Sequence, residues 1–351
     1  MENRERLAAY LRGYTGRPLR LMEVCGTHTS ALYRTGLRGM LPENITMLSG
    51  PGCPVCVTPT DYIDRLVEYS LRPGTCVLSF GDMLSVPGSR LSLASARAEG
   101  GCADFFYAPE QAIDRARKEP ETQFVLAAVG FETTAPVWAA VADEILNCGL
   151  KNVKLLTSLK TMPAAMDALC ATGKIDGFLC PGHVAVVTGS ETFRPLAEKW
   201  HKPMVVGGFT ADLLLTALCR LVYEAGANHE GLWNEYPSFV LPEGNRKAQA
   251  AVARVFEAGE ACWRGIGLLG GSGLYLRGKY EALDAGSRGL TGDHAPEGCR
   301  CGSVLTGDIP PARCPLFGKA CTPGHPVGAC MVSSEGTCRI SYLESGEQYE
   351  N

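Results

Sequence analysis

The sequence reads as an α/β protein. Seven short β-rich runs are apolar nearly without a break, helical periods lie between them, and several runs end in Gly-, Pro- or Cys-bearing turns. The runs cover residues 19–24 (LRLMEV), 45–50 (ITMLSG), 75–81 (TCVLSFG), 124–130 (FVLAAVG), 153–159 (VKLLTSL), 177–182 (GFLCPG) and 204–209 (MVVGGF). Continuous rather than alternating apolarity is the mark of parallel strands covered on both faces. Helical periods occupy TPTDYIDRLVEYSL, APVWAAVADEILNCG and FTADLLLTALCRLVYEAG, the last two closing on glycine. This βαβ repetition predicts two Rossmann-like parallel-sheet units.

At 351 residues the chain exceeds one ordinary core. The polar KEPETQ segment suggests a division near Glu119–Gln123, giving units at 17–120 and 121–236. After PSFVLPEGN and a helical RKAQAAVARVFEAG, the pattern dissolves into Gly-rich turns and a Cys-rich tail. Residues 237–351 therefore read as a small irregular and helical third domain, which could take in residues 1–16.

With 46% hydrophobic residues, 20% charged residues and a net charge of -4, the chain has no general attraction for phosphate backbones. Nucleic acid is a poor partner. No window approaches the roughly 18 apolar residues that span a bilayer, and the N-terminus lacks a signal-peptide core, which predicts a cytoplasmic protein without a membrane. In that compartment 16 cysteines point to metal or redox chemistry rather than a disulfide framework.

The turns after the runs carry that chemistry: CGTHT after the first, GPGCPVC after the second, GFETT after the fourth and PGHV after the sixth. Ligands of open α/β sheets bind beyond the carboxyl ends of the strands, so these turns should converge on crevices. Cys25 stands where a strand hands over to a helix, a place that lowers a thiol pKa, and His28 could add charge or a hydrogen bond. A Cys at a strand end is more often a small buried apolar residue. Cys53 and Cys56 have the C-x-x-C spacing of dithiol redox motifs, although the same spacing is half of a zinc knuckle. Glu132 and His183 stand at strand ends where they could line a crevice, with Thr133 and Thr134 suited to helix capping.

Six cysteines fall between 299 and 338 in the pattern C-x-C-x₁₂-C-x₆-C-x₈-C-x₇-C, in a segment with five prolines and no long apolar period. Such a segment needs a covalent or metal centre to order it. The spacing offers neither the paired knuckles of structural zinc nor the ferredoxin run, so a [4Fe–4S] cluster, zinc and independent thiols all remain open. Six thiols less the four that a cubane takes leaves two, and a leftover pair beside a cluster can exchange electrons with it.

The tail resembles the catalytic subunit of ferredoxin:thioredoxin reductase, whose C-x-C motifs set a cluster ligand beside a redox-active thiol. That resemblance implies Cys299, Cys314, Cys321 and Cys338 as ligands, with Cys301 pairing with Cys330. The second choice of ligands is Cys314, Cys321, Cys330 and Cys338.

CGTHT, GPGCPVC, GFETT, PGHV and CTPGHPVGACMVSSEGTC, in this order over essentially the whole chain, resemble the HypD family of hydrogenase maturation factors. The resemblance implies a redox-active scaffold, rather than a freestanding turnover enzyme, that assembles the Fe(CN)₂CO unit of [NiFe] hydrogenase. It would work with the small chaperone HypC and with HypE as cyanide donor. Transient iron would be held at Cys25, the Cys53–Cys56 dithiol would be a second thiol site, and the tail would hold the cluster. Glu132 and His183 would be supporting groups or partner contacts. A cluster-dependent disulfide reductase is the competing function, and a zinc-stapled interaction module a third. Cys76, Cys102, Cys148, Cys170, Cys180, Cys219 and Cys262 carry no assigned chemistry. GLLGGSGLYL (267–276) lacks the context of a phosphate loop.

Overall fold

A computed structural model describes residues 2–344; Met1 and residues 345–351, which the expected third domain includes, lie outside the described residues. All seven apolar runs are strands: β1 (Leu19–Glu23), β2 (Ile45–Ser49), β3 (Thr75–Ser79), β5 (Gln123–Gly130), β6 (Val153–Lys160), β7 (Gly177–Cys180) and β8 (Pro203–Val206). Four more complete the set: β4 (Ala103–Phe105), β9 (Gly231–Asn234), β10 (Phe256–Trp263) and β11 (Gly267–Leu276). The three helical periods form Thr60–Ser70, Ala135–Asn147 and Ala211–Gly226.

The strands make two sheets. One is wholly parallel, in the order β2-β1-β7-β8-β9. The other, β10-β11-β6-β5-β3-β4, is parallel from β6 to β4 and carries the β10–β11 hairpin antiparallel at one edge. The expectation of two α/β sheet units holds, but not their boundaries. β3 pairs with β5 across the division proposed near Glu119–Gln123, while β1 and β2 share a sheet with β7, β8 and β9. The chain changes sheet between β2 and β3, between β6 and β7, and between β9 and β10. The C-x-x-C segment lies on the first of these crossings.

The expected third domain also starts too early. The helix Arg246–Val255 leads straight into β10, and β11 joins β6 at Gly273↔Lys160 and Leu274↔Leu159. Over residues 278–344 the tail consists of short helical pieces and irregular loops, tied to β1 and to the helix Thr60–Ser70. Arg20 donates from Nη2 to the Gly307 carbonyl at 2.8 Å, and Asp61 accepts the Gly292 N–H at 2.5 Å. Cys301, Val304, Cys330 and Met331 share one buried cluster with Met22, Val24, Cys53 and Phe178. The tail thus packs into the core at the strand ends rather than forming a core of its own.

Cys76 and Cys102, expected to be chemically silent packing residues, form a disulfide from β3 to the approach of β4. No described helix is long and apolar enough to cross a membrane.

Candidate active site: two sulfur-lined cavities

In the parallel sheet β1 and β7 are neighbours whose outgoing connections run in opposite directions, β1 toward β2 and β7 toward β8. That arrangement opens a crevice. Cys25 follows β1 there, as the N-cap of the helix Gly26–Arg34. The turn after β7 brings Pro181 and His183. Together with Thr27, Gly52, Pro54, Phe131, Thr133, Thr134 and Glu335, these residues line a cavity of about 430 Å³. Four separate sequence motifs and one residue of the tail meet at it.

Glycine makes this convergence possible. A Cβ on Gly52 would lie 2.3 Å from the Cys25 nitrogen, and one on Gly26 would lie 2.6 Å from both the Cβ and the carbonyl oxygen of Glu335. Backbone therefore packs on backbone at both points. Gly26 also donates its N–H to the Gly52 carbonyl at 3.3 Å.

The electrostatics of Cys25 differ from the expectation of a lowered pKa. Burial pushes the thiol up to about 12; the backbone N–H groups of His28 and Thr27 pull it down, and the carboxyls of Glu23 and Glu335 push it further up. Desolvation and negative neighbours outweigh the helix start, so the group is a thiol unless a cation arrives. Glu23, fully buried at the end of β1, accepts the Cys25 N–H at 2.9 Å and the Thr29 hydroxyl at 2.5 Å.

The imidazole of His28 adds neither charge nor a hydrogen bond to Cys25; only the backbone N–H of that residue reaches the thiol. Its Nε2 lies 3.2 Å from the carbonyls of both Gly207 and Gly208, so Nε2 carries the proton, and burial lowers its pKa to about 4. The ring stacks on Phe209 at 4.6 Å, and His183 stacks on the same ring at 3.8 Å. His28 thus fastens the Cys25 helix to the β8 turn, while the exposed His183 faces the cavity.

Glu132 is not among the residues that line the cavity. It is buried at the end of β5, accepting the Met162 N–H at 2.8 Å on Oε1 and leaving Oε2 without a partner. Burial raises its pKa to about 7. Within GFETT it is Phe131, Thr133 and Thr134 that line the cavity. Thr134 is the N-cap of Ala135–Asn147 by position only, since its hydroxyl donates to the Phe131 carbonyl at 3.2 Å.

The second cavity is apolar and is lined by all six tail cysteines, Cys299, Cys301, Cys314, Cys321, Cys330 and Cys338, together with Leu316, Phe317, Gly328 and Met331. Cys301 Sγ and Cys330 Sγ lie 2.6 Å apart. A Cβ on Gly328 would sit 2.7 Å from Cys299 Sγ. Cys56 is fully buried, and its thiol reaches the Ala329 carbonyl at 3.9 Å, beside Cys330. Its backbone N–H donates to Cys53 Sγ at 3.2 Å. Burial raises the Cys56 pKa, with the Cys330 sulfur opposing and the Cys53 sulfur adding. The C-x-x-C pair and the tail sulfurs are one neighbourhood, although no three described His, Cys, Asp or Glu side chains are drawn round a single-ion position.

Residues 3–345 match the family model described as HypD: Hydrogenase formation hypA family. The chain belongs to the HypD family. The hydrogenase maturation factor HypD of Azotobacter vinelandii is 40% identical over 338 residues, covering 93% of this chain and 89% of that protein. The proteins of that name from Escherichia coli (strain K12) and Rhodobacter capsulatus are 39% and 38% identical, over 99% and 97% of this chain and 94% and 93% of theirs. The HypD match spans both cavities.

Three residues at these sites had no role in the sequence reading. Glu23 was signalled only as a charge inside an apolar run next to Cys25. Glu335 lies in SSEGTC with nothing to mark it. Phe209 closes the 204–209 run just beyond the strand β8, and its service to two histidines is visible only in the folded chain.

Proposed function

We propose that this chain is a hydrogenase maturation factor, a redox-active scaffold on which the Fe(CN)₂CO unit of [NiFe] hydrogenase is built. The observation that carries the reading is the Cys25 cavity, where a lone buried thiol meets His183 and four motif turns at the carboxyl ends of parallel strands. In this reading the substrate iron is held by Cys25 together with a thiol of a HypC-type chaperone, and HypE delivers cyanide. A cation at the sulfur displaces the proton that burial otherwise retains there.

The tail residues fit a [4Fe–4S] cluster. Their donors are sulfur only, six of them line one cavity, and the walls are apolar. Cys299, Cys314, Cys321 and Cys338 would hold it, leaving Cys301 and Cys330 as a redox pair with adjacent sulfurs. When bound, the cluster would supply one electron at a time, while the protein's thiols store two. Cys56, beside Cys330, puts the Cys53–Cys56 dithiol within reach of that pair. A freestanding disulfide reductase would use the same tail sulfurs but has no use for the Cys25 cavity.

The test is iron and acid-labile sulfide analysis of anaerobically purified protein with Cys314→Ala and Cys321→Ala variants. The reading expects a full complement in the wild type and background amounts in both variants. Full retention in the variants, or zinc in place of iron, rejects it.

A further inference from the structure

A third cavity, of about 290 Å³, opens on the tail side of the molecule. Arg264, Asp293, Arg300, Ser303 and Asp308 contribute its polar lining, and Cys299 and Cys301 form part of its wall. Its volume lies near the lower end for small-molecule sites.

The polar groups of this cavity are unequally satisfied. Both aspartates are already supplied with donors: Asp293 accepts the Gly265 N–H at 2.9 Å and the Thr60 hydroxyl at 3.2 Å, and Asp308 accepts the Thr306 hydroxyl at 2.8 Å and pairs with Lys174. The arginines are not matched in this way. Arg264 is only 3% exposed, its nearest ion-pair contact is Asp293 at 3.8 Å, and its Nη2 has no hydrogen-bond partner. Its Nε is spent on the Thr58 carbonyl at 2.7 Å, which fixes the guanidinium in place. Arg300 forms no ion pair among the described residues. A buried guanidinium with a spare donor calls for an oxyanion, and a carboxylate matches its geometry.

Backbone packing holds the cavity's shape. Gly265 has φ +74°, and a Cβ there would stand 2.2 Å from the Gly302 Cα, so the Trp263–Ile266 turn lies directly on the start of the Cys301–Leu305 helix. The cavity's volume of about 290 Å³ leaves room for a ligand of a few heavy atoms.

We propose that this cavity binds a small carboxylate-bearing thiol, its carboxylate on Arg264 and Arg300 and its sulfur directed at Cys301. The exchange step rests on the redox-pair reading above; the carboxylate site does not. With Cys301 and Cys330 oxidised to a disulfide, the ligand thiolate attacks Cys301 Sγ, the Cys301–Cys330 bond breaks, and Cys330 leaves as a thiolate that takes a proton. A second ligand thiol then attacks the mixed disulfide. Cys301 is released as a thiol and the two ligands leave as their disulfide, so two ligand thiols are oxidised and two protein thiols formed.

Calorimetric titration of the full-length anaerobic protein with acetate tests the site itself. Acetate should bind saturably, acetamide should not, and inorganic phosphate should compete if the site accepts oxyanions at large. Arg300→Gln, at an exposed position, should weaken acetate about tenfold, and Arg264→Lys should do likewise. Absence of saturable acetate binding, or acetate binding unchanged in both variants, overturns the proposal whatever the redox state of the tail. The exchange step is read from the oxidised protein: the rates of thiol release by mercaptoacetate and 2-mercaptoethanol, each divided by that reagent's rate with a small free disulfide. A normalised preference of about tenfold for mercaptoacetate that collapses in Arg300→Gln supports the proposal. Equal normalised rates overturn the thiol half even where acetate binds.

Discussion

Gly52 lies against Cys25 so closely that a methyl group on it would reach within 2.3 Å of the Cys25 backbone nitrogen and 2.5 Å of its Cα. The loop bearing the C-x-x-C motif and the loop bearing the lone thiol are thus in direct backbone contact, and no side chain can swing aside to admit a larger residue. Gly52→Ala should cost more than the ~1–3 kcal/mol of ordinary overpacking, because backbone rather than a rotamer must move. Urea unfolding checks this. An unchanged midpoint would mean that the two loops are not in register as described.

The buried titratable groups at the strand ends predict a pH signature. Glu132 is held at about 7 against its ordinary 4.5, so its contribution to stability is complete below about 4.5 and is lost as pH rises toward 7. Glu132→Gln keeps the acceptor for the Met162 N–H and removes the titration. It should be more stable than the wild type above pH 7, by on the order of 3 kcal/mol at most, with the difference vanishing near pH 4. Denaturant melts across that range decide it.

His28 acts in the opposite sense. Its folded value of about 4 lies below the ordinary 6.5, so its contribution is complete above about 6.5 and is lost as pH falls toward 4. Replacing His28 with Gln should flatten the acid side of the stability curve while lowering stability at neutral pH, since the proton shared between the Gly207 and Gly208 carbonyls and the stack on Phe209 are disturbed. Equal acid slopes in the two proteins would contradict a neutral buried imidazole.

Every strand announced by an unbroken apolar run is present, because such runs can bury both faces only inside a sheet. What the sequence concealed was topology. Nothing local in residues 50–74 says that the chain leaves one sheet for another, since strand pairing is decided by contacts distant in sequence. β11 was hidden by composition: GLLGGSGLYL has the glycines of a loop, yet its second half is buried against β6 and Trp263 donates its indole N–H to Ser272. At the site, the turns that hold Cys25 and His183 were legible from their position after strands. The orientation of Glu132 away from the cavity, and the disulfide of Cys76 with Cys102, depended on neighbours that only folding supplies.

The tail sulfurs predict an asymmetry between Cys299 and Cys301. If Cys299 is a ligand and Cys301 half of the adjacent pair, Cys301→Ser should retain iron and sulfide while one further thiol becomes alkylatable, and Cys299→Ser should lose the iron. The checks are metal analysis and thiol counts before and after reduction. Loss of iron from Cys301→Ser with retention in Cys299→Ser reverses the roles, and retention in both favours Cys314, Cys321, Cys330 and Cys338 as the ligand set.

The most direct test of the central claim is the infrared spectrum of the anaerobic complex with a HypC-type chaperone, for the wild type and for Cys25→Ala. Cyanide and carbonyl bands are expected in the wild-type complex and none in the variant, while both proteins keep the same iron and sulfide in the tail. Bands of equal strength in the Cys25→Ala complex would contradict the claim.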